Sequence, residues 1–355
     1  MADAPVGTEP AVVEEPASRA VVTPSAPATG TSSRWPLTVT ALVLVILAVA
    51  GSWADVSDRG DMISLFTKIV VFGLAAMSLD LIVGYGGMVS LGHAAFFGLG
   101  SYTAGALAFH AVDDSTVFGI GGTEQALISW PLAMVSGALL GLLIGGLSLR
   151  TKGVYFIMAT LAFNQMVFFL FNALEIYGGD DGVGIFSATR RIGPLDADDD
   201  ATYFWVCFVV LVAAVIGLNF VIRSPFGRVL RGCHDNEGRM RALGYATYRY
   251  RLVAFALAAS LAGLAGAMNV GDTQFLNPGP AHWTESGELL IMVIAGGLGS
   301  LIGGVIGAGV LLVLEELAID YTDNVQFFIG AALLVVVLVA PRGVAGLVFR
   351  RHRNV

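Results

Sequence analysis

Long apolar runs separated by short polar stretches set the pattern of this chain. The runs fall at roughly 36–53, 63–83, 92–111, 128–148, 154–174, 203–222, 252–270, 286–298, 301–318 and 325–341. Most are close to the ~20 residues a helix needs to cross a bilayer. The pattern therefore predicts an all-α, polytopic integral membrane protein with about ten transmembrane helices. Trp35 and Trp53 bracket the first run, and Trp130 and Trp205 open the fourth and sixth, where indole rings favour the headgroup level. The stretch 286–318 reads either as one long helix or as two, because Gly296, Gly297 and Gly299 interrupt it.

Composition agrees with this pattern. With 56% hydrophobic and 13% charged residues, 45 glycines and a mean hydropathy of +0.77, there is too little polar surface to coat a soluble globule. The net charge of -8 hides a segregation. Ten alternating spans put Arg34, Arg150, Lys152, the arginines of 223–251, and Arg342, Arg350, Arg351 and Arg353 on one side. Most acids fall on the other, while Arg59, Arg190 and Arg191 are exceptions. The positive-inside rule then predicts an inner-membrane protein with both termini cytoplasmic. A single long helix over 286–318 would leave the Arg-rich C-terminus outside, which the same rule disfavours. Residues 1–33, rich in Pro, Ala, Thr and Ser, read as a disordered cytoplasmic tail rather than a cleavable signal. A transmembrane domain is expected over 34–347 and a basic cytoplasmic tail over 348–355.

Several chemistries are excluded at this stage. Nucleic-acid binding is not implied by the charge distribution. Cys207 and Cys233 offer no disulfide framework or CxxC site and read as packing residues. The five histidines show no metal spacing, and Lys68 and Lys152, the only lysines, lie in no phosphate-binding loop. The chain is therefore expected to bind no cofactor, to have no catalytic residues and to hydrolyse no ATP.

The polar stretch Arg223–Arg251 carries seven arginines against Asp235 and Glu237. Ser224 as N-cap and Pro225 at the first helical position predict a short helix to about Cys233. Asp235 or Asn236 would cap a second helix ending at Gly244. Met240 and Leu243, with Tyr245 beyond, give this second helix an apolar edge for which a solvated loop has no use. Enforcement of topology and binding of anionic headgroups is the plainer alternative. Length and helix-stop-helix grammar favour a docked cytosolic partner.

Two glycine-rich breaks interrupt the apolar runs: Gly84 to His93, with Gly86, Gly87, Ser90 and Gly92, and Gly296, Gly297, Gly299 and Ser300. Glycine costs a helix roughly 1 kcal/mol relative to alanine. Broken helices in lipid survive where protein or a water-filled cavity satisfies the freed backbone, and they often mark a substrate path. Small-residue packing is the competing account for any single glycine. His93 beside the first break either lines that path or caps freed carbonyls, with capping favoured. Asn164 and Gln165 are candidate lining groups, although ~100° of helix rotation separates them, so one can line the path while the other bonds a neighbouring span. Lys68 and Asp80 share a span but stand about 120° and some 18 Å apart, which makes no ion pair. Asp80 reads as a wet residue near the cytoplasmic end, and Lys68 as one that snorkels outward.

Four ordered stretches now resemble a known family: GYGGMVSLGHAAFFGLGSYTAGAL (84–107), RTKGVYFIMATLAFNQMV (150–167), SPFGRVLRGCHDNEGRMRALGYATYRYRLVAFALAASLAGLAGAM (224–268) and SGELLIMVIAGGLGSLIGGVIGA (286–308). They resemble the LivM-type permease subunits of bacterial branched-chain amino acid ABC importers, over residues 62 to 347. The resemblance implies a homologous second permease of LivH type, two cytosolic ATPases that hold ATP and Mg, and an extracytoplasmic solute-binding protein. It assigns Gly227, Arg228, Asn236, Glu237, Arg241, Ala242 and Gly244 as the ATPase-coupling surface, which Arg231 on the same helix joins. Met88 stands where the family commonly has glutamine, and GGDDG (178–182) replaces a Gly/Ser/Asn-rich stretch. Leu298 occupies a slot that urea permeases usually fill with arginine, which favours amino acids over urea; a permease of the same family for urea, amides or aromatic acids is the alternative within the family. A proton- or sodium-coupled carrier using Asp80 and His93 is the alternative from another class.

Overall fold

The computed structural model describes residues 35–57, 60–112, 116–117, 120–185, 190–192, 195–319 and 330. The expected tails 1–33 and 348–355, the arginines from Arg342 onward, and all but residue 330 of the run 325–341 lie outside the described residues. The described chain forms α1 (Trp35–Val56), α2 (Gly60–Asp80, continued by a π turn Leu81–Tyr85), α3 (His93–Val112), α4 (Ala126–Ser148) and α5 (Val154–Asn172). It continues with α6 (Asp200–Arg223), α7 (Pro225–Ala242), α8 (Thr247–Thr273), α9 (Trp283–Gly296) and α10 (Leu301–Ile319). Among the described residues, eight of these helices are long and apolar enough to cross a membrane. The two that are not are α7, which is polar, and α9, which is short.

Helix α8 occupies the centre, packed against α4, α3 and α2. Its buried stretch from Ala254 to Gly271 is dominated by Ala, Gly and Ser. Lipid tails are as apolar as leucine, so helices in a bilayer associate through close packing and hydrogen bonds rather than through the hydrophobic effect. The small residues permit that approach. A side-chain carbon on Gly100 would overlap the backbone of Gly263, and one on Gly266 would overlap the Phe97 carbonyl. Ser101 Oγ donates to Gly266 O at 2.9 Å, and Tyr203 Oη donates to Met268 O at 2.7 Å. Both free cysteines are buried, Cys207 on α6 and Cys233 on α7.

After α8 the chain turns at Gln274 (φ 51°), pairs Phe275–Leu276 with Val183–Gly184, and then returns into the bundle. Asn164 Nδ2 donates to Ala281 O at 3.0 Å. Asn164 lies about 15 Å along α5 from its start, near the middle of that span. The Ala94 amide donates to Ser286 Oγ at 2.9 Å. Helix α9 therefore starts inside the bundle. Its 14 residues reach only about 21 Å against a hydrocarbon core of roughly 30 Å.

This decides between the two readings of 286–318. The stretch 286–318 is two helices, because Gly297 (φ 113°) and Gly299 (φ 74°) take backbone conformations that residues with side chains rarely adopt. The first of the two does not span a bilayer by itself. Its non-helical approach is tolerated at this depth because neighbouring helices satisfy its polar groups.

Candidate functional site

The α7 segment is two short helices meeting at Asn236, whose backbone is extended (φ -159°, ψ 95°). Ser224 caps the first half and Pro225 opens it. Asn236 Oδ1 accepts from Arg239 N at 2.9 Å and so caps the second half. Gly244 (φ 87°) ends it, with Gly244 N donating to Arg241 O and Tyr245 N to Met240 O. Gly227 is buried against the Ile222 backbone, where no side chain fits.

Four basic residues hold α7 in place. Arg231 donates from Nη2 to Ile222 O at 2.8 Å and lays its guanidinium over the Tyr85 ring, 5.9 Å from the centroid. Glu237 gathers Lys152 at 3.0 Å and Arg251 at 3.2 Å, and also pairs with Arg241. Burial pushes the Glu237 carboxyl up, but the Lys152 hydrogen bond and the charges of Arg251, Lys152 and Arg241 outweigh it and hold it below its ordinary value. Arg241 Nε also donates to Thr247 Oγ1 at 3.2 Å.

Several of the expected coupling residues nonetheless remain open to a partner. Arg228, Asn236, Arg241, Ala242 and Gly244 are exposed. So is the apolar edge, with Leu243 66% and Tyr245 42% exposed. Met240 instead packs back on Gly232.

The first break lies directly under α7. Gly87 (φ 65°) is in contact with the His234 ring, so any larger residue would meet imidazole as well as backbone strain. A cavity of about 250 Å³ opens beside it, lined among others by Gly87, Met88, Lys152, Phe156, Glu237 and Arg251. Gly86 packs on the Ile82 carbonyl, and Ser90, fully buried, accepts from Gly92 N through Oγ at 3.2 Å.

Asp80 ties this break to the second. Its carboxylate is fully buried, and Oδ1 accepts from Gly299 N at 2.8 Å while Oδ2 has no partner. Gly84 fits between the two only because it has no side chain. This corrects the reading of Asp80 as a wet residue: sequence position placed it near a helix end but could not show that a loop 219 residues away covers it.

His93 is likewise fully buried, with Nε2 2.7 Å from Ser78 Oγ and no partner on Nδ1. Among the described residues its hydrogen bond goes to the Ser78 hydroxyl on α2 and not to a freed carbonyl of the break. Asn164 is buried and spends its amide on Ala281, whereas Gln165 is half-buried with Oε1 unpaired. Gly296 is pressed on the Gly303 backbone and serves helix packing, while Gly297 and Gly299 supply the turn and Ser300 O accepts from Gly303 N.

The candidate residues thus fall into one connected region at the α7 end and a separate one around Asn164. Sequence reading missed Tyr85, His234, Glu285 and Glu288. Glu288 was the findable one, since a carboxylate within an apolar run is rare.

Membrane-length helices around a glycine-packed core, broken helices within it and a basic double helix hung at one end define a polytopic membrane permease. Residues 62–338 match the family described as branched-chain amino acid transport system / permease component, and the chain belongs to that family. Among its relatives is the high-affinity branched-chain amino acid transport system permease protein LivM of Escherichia coli K12, 28% identical over 328 residues, 85% of this chain and 73% of that one. LivM of Salmonella typhimurium is 27% identical over 327 residues, with the same shares. LivH of Salmonella typhimurium is 25% identical over 295 residues, 78% of this chain and 91% of that one. No solved structure matches the chain.

Proposed function

We propose that this chain is the permease subunit of an ATP-driven importer that carries branched-chain or related neutral amino acids across the inner membrane. It works with a homologous second permease, two cytosolic ATPases that bind ATP and Mg, and an extracytoplasmic binding protein that delivers the substrate. In this reading α7 and both termini face the cytoplasm. The observation that carries the reading is α7 itself: a kinked, arginine-rich double helix, anchored through Arg231 and Glu237, with Leu243 and Tyr245 turned outward. A helix pair so held gains nothing from exposing that apolar edge unless a protein cleft receives it.

The anchoring supports a mechanical role. Closure of the ATPases around ATP would push α7. Arg231 on Tyr85 and His234 on Gly87 would pass the push to the first break, and Asp80 would pass it to Gly299 at the head of α10. Each contact joins rigid helices at a flexible glycine junction, which suits a switch between two arrangements.

The test is reconstitution of the whole complex in liposomes. Leu243→Asp is expected to lower substrate-stimulated ATP hydrolysis by about tenfold or more, as loss of a buried apolar anchor would. Ala242→Pro is expected to abolish it. Both variants should insert normally, because neither side chain is buried within the chain. Wild-type hydrolysis in both would overturn the docking role. Uptake by this chain alone on a proton or sodium gradient would favour the carrier alternative.

A further inference from the structure

Most outward faces of the bundle suit lipid. Val135, Leu139 and Leu143 on α4, and Val209, Ile216 and Phe220 on α6, are exposed and apolar. One face differs. Lys68 on α2 and Glu288 on α9 are exposed, Glu285 is half-buried with Oε2 unpaired, and Glu315 is half-buried on α10.

These groups form a single electrostatic cluster. Glu285 feels Glu288 and Glu315, and Glu315 feels Lys68. No hydrogen bond or ion pair satisfies Lys68, Glu288 or Glu315 among the described residues. The depth of the cluster follows from the start of α9. Ser286 is bonded to Ala94, and Ala281 to Asn164 in the middle of α5, so Glu285 and Glu288 stand within the bilayer and not at its rim.

Charged side chains at that depth do not face hydrocarbon; they face protein or water. Carboxyl groups, Glu316 on α10 among them, outnumber the single ammonium at this face, so what covers it must bring hydrogen-bonding groups.

We propose that the α2–α9–α10 face around Lys68 and Glu288 is the seat of the second permease. This rests on the importer reading above and adds the surface on which the two permeases meet. The partner presents hydrogen-bonding groups to Glu285, Glu288 and Glu315, and the polar seam so formed is shielded from lipid. The α4 and α6 faces remain against lipid.

The test uses the full chain co-expressed with the second permease, the ATPases and the binding protein, with a photoreactive phenylalanine analogue replacing Lys68 or Glu288 one at a time. Both positions are exposed, so folding should survive. The expected result is an adduct with the second permease from either position, and none when the analogue replaces Leu139 or Ile216. Adducts from Lys68 and Glu288 confined to lipid, to residues 325–341 of the same chain, or to a second copy of this chain would overturn the proposal. If the ATPases and second permease co-purify while both positions miss that permease, only the face assignment fails. If neither co-purifies, the importer reading fails with it.

Discussion

Glycine is concentrated both in the α3–α4–α8 seam and in the two breaks around Asp80, and the backbone differs between them. In the seam Gly100, Gly137, Gly263 and Gly266 are helical, and each lacks a side chain because a neighbouring backbone occupies the space. In the breaks Gly87, Gly297 and Gly299 take positive φ, so their lack of a side chain serves conformation. The first use makes a rigid block, since close-packed helices resist small displacements. The second makes junctions held by few contacts, such as the single Asp80–Gly299 hydrogen bond. Moving parts are thus expected at the breaks, with α8 and its neighbours as the frame they move against.

The strongest challenge to this comparison is to overfill the seam. Gly266→Val would drive a side chain into the Phe97 carbonyl and is expected to cost about 3 kcal/mol or more, read as loss of monodisperse protein and a lowered melting temperature in detergent. Normal folding of that variant would mean that the seam is not rigid.

A more selective effect is expected at Asp80. Asp80→Ala should leave the bundle folded but reduce transport per ATP hydrolysed by about tenfold, equivalent to ~1.4 kcal/mol of lost coupling. Asp80→Asn keeps an oxygen at Oδ1 for Gly299 N and should restore most of it. Equal loss in both variants would show that the charge matters, not the hydrogen bond.

The smallest effect concerns the anchor of α7. The Glu237 carboxyl is held below its ordinary value of 4.5, so its pairing stabilises the fold above that pH and is lost as pH falls through the lower folded value. Melting measured against pH should show a shallow acid-side decline. Glu237→Gln should flatten it, with a difference under about 1 kcal/mol because two of the three partners, Lys152 and Arg241, are largely exposed.

Much of this was legible along the chain. The α7 double helix was readable because Ser224, Pro225, Asn236 and Gly244 are local signals, and local signals act through the backbone of their own neighbours. The glycine breaks were readable for the same reason. Residues whose role depends on distant partners were not. Asp80 looked solvent-facing until Gly299 was seen to cover it, and His93 looked available until Ser78 took it. Arg231 resembled its neighbours, yet Tyr85 and the Ile222 carbonyl make it an anchor.

Order and composition alone therefore determined that this chain is a polytopic helical membrane protein with a basic hook and interrupted spans, since hydropathy, charge and capping are properties of short segments. Tertiary structure alone decided that α9 falls short of the bilayer, that Asp80 joins the two breaks, and that unpaired charges gather on one outward face. Those facts depend on which helices meet and at what depth, and no short segment carries that information.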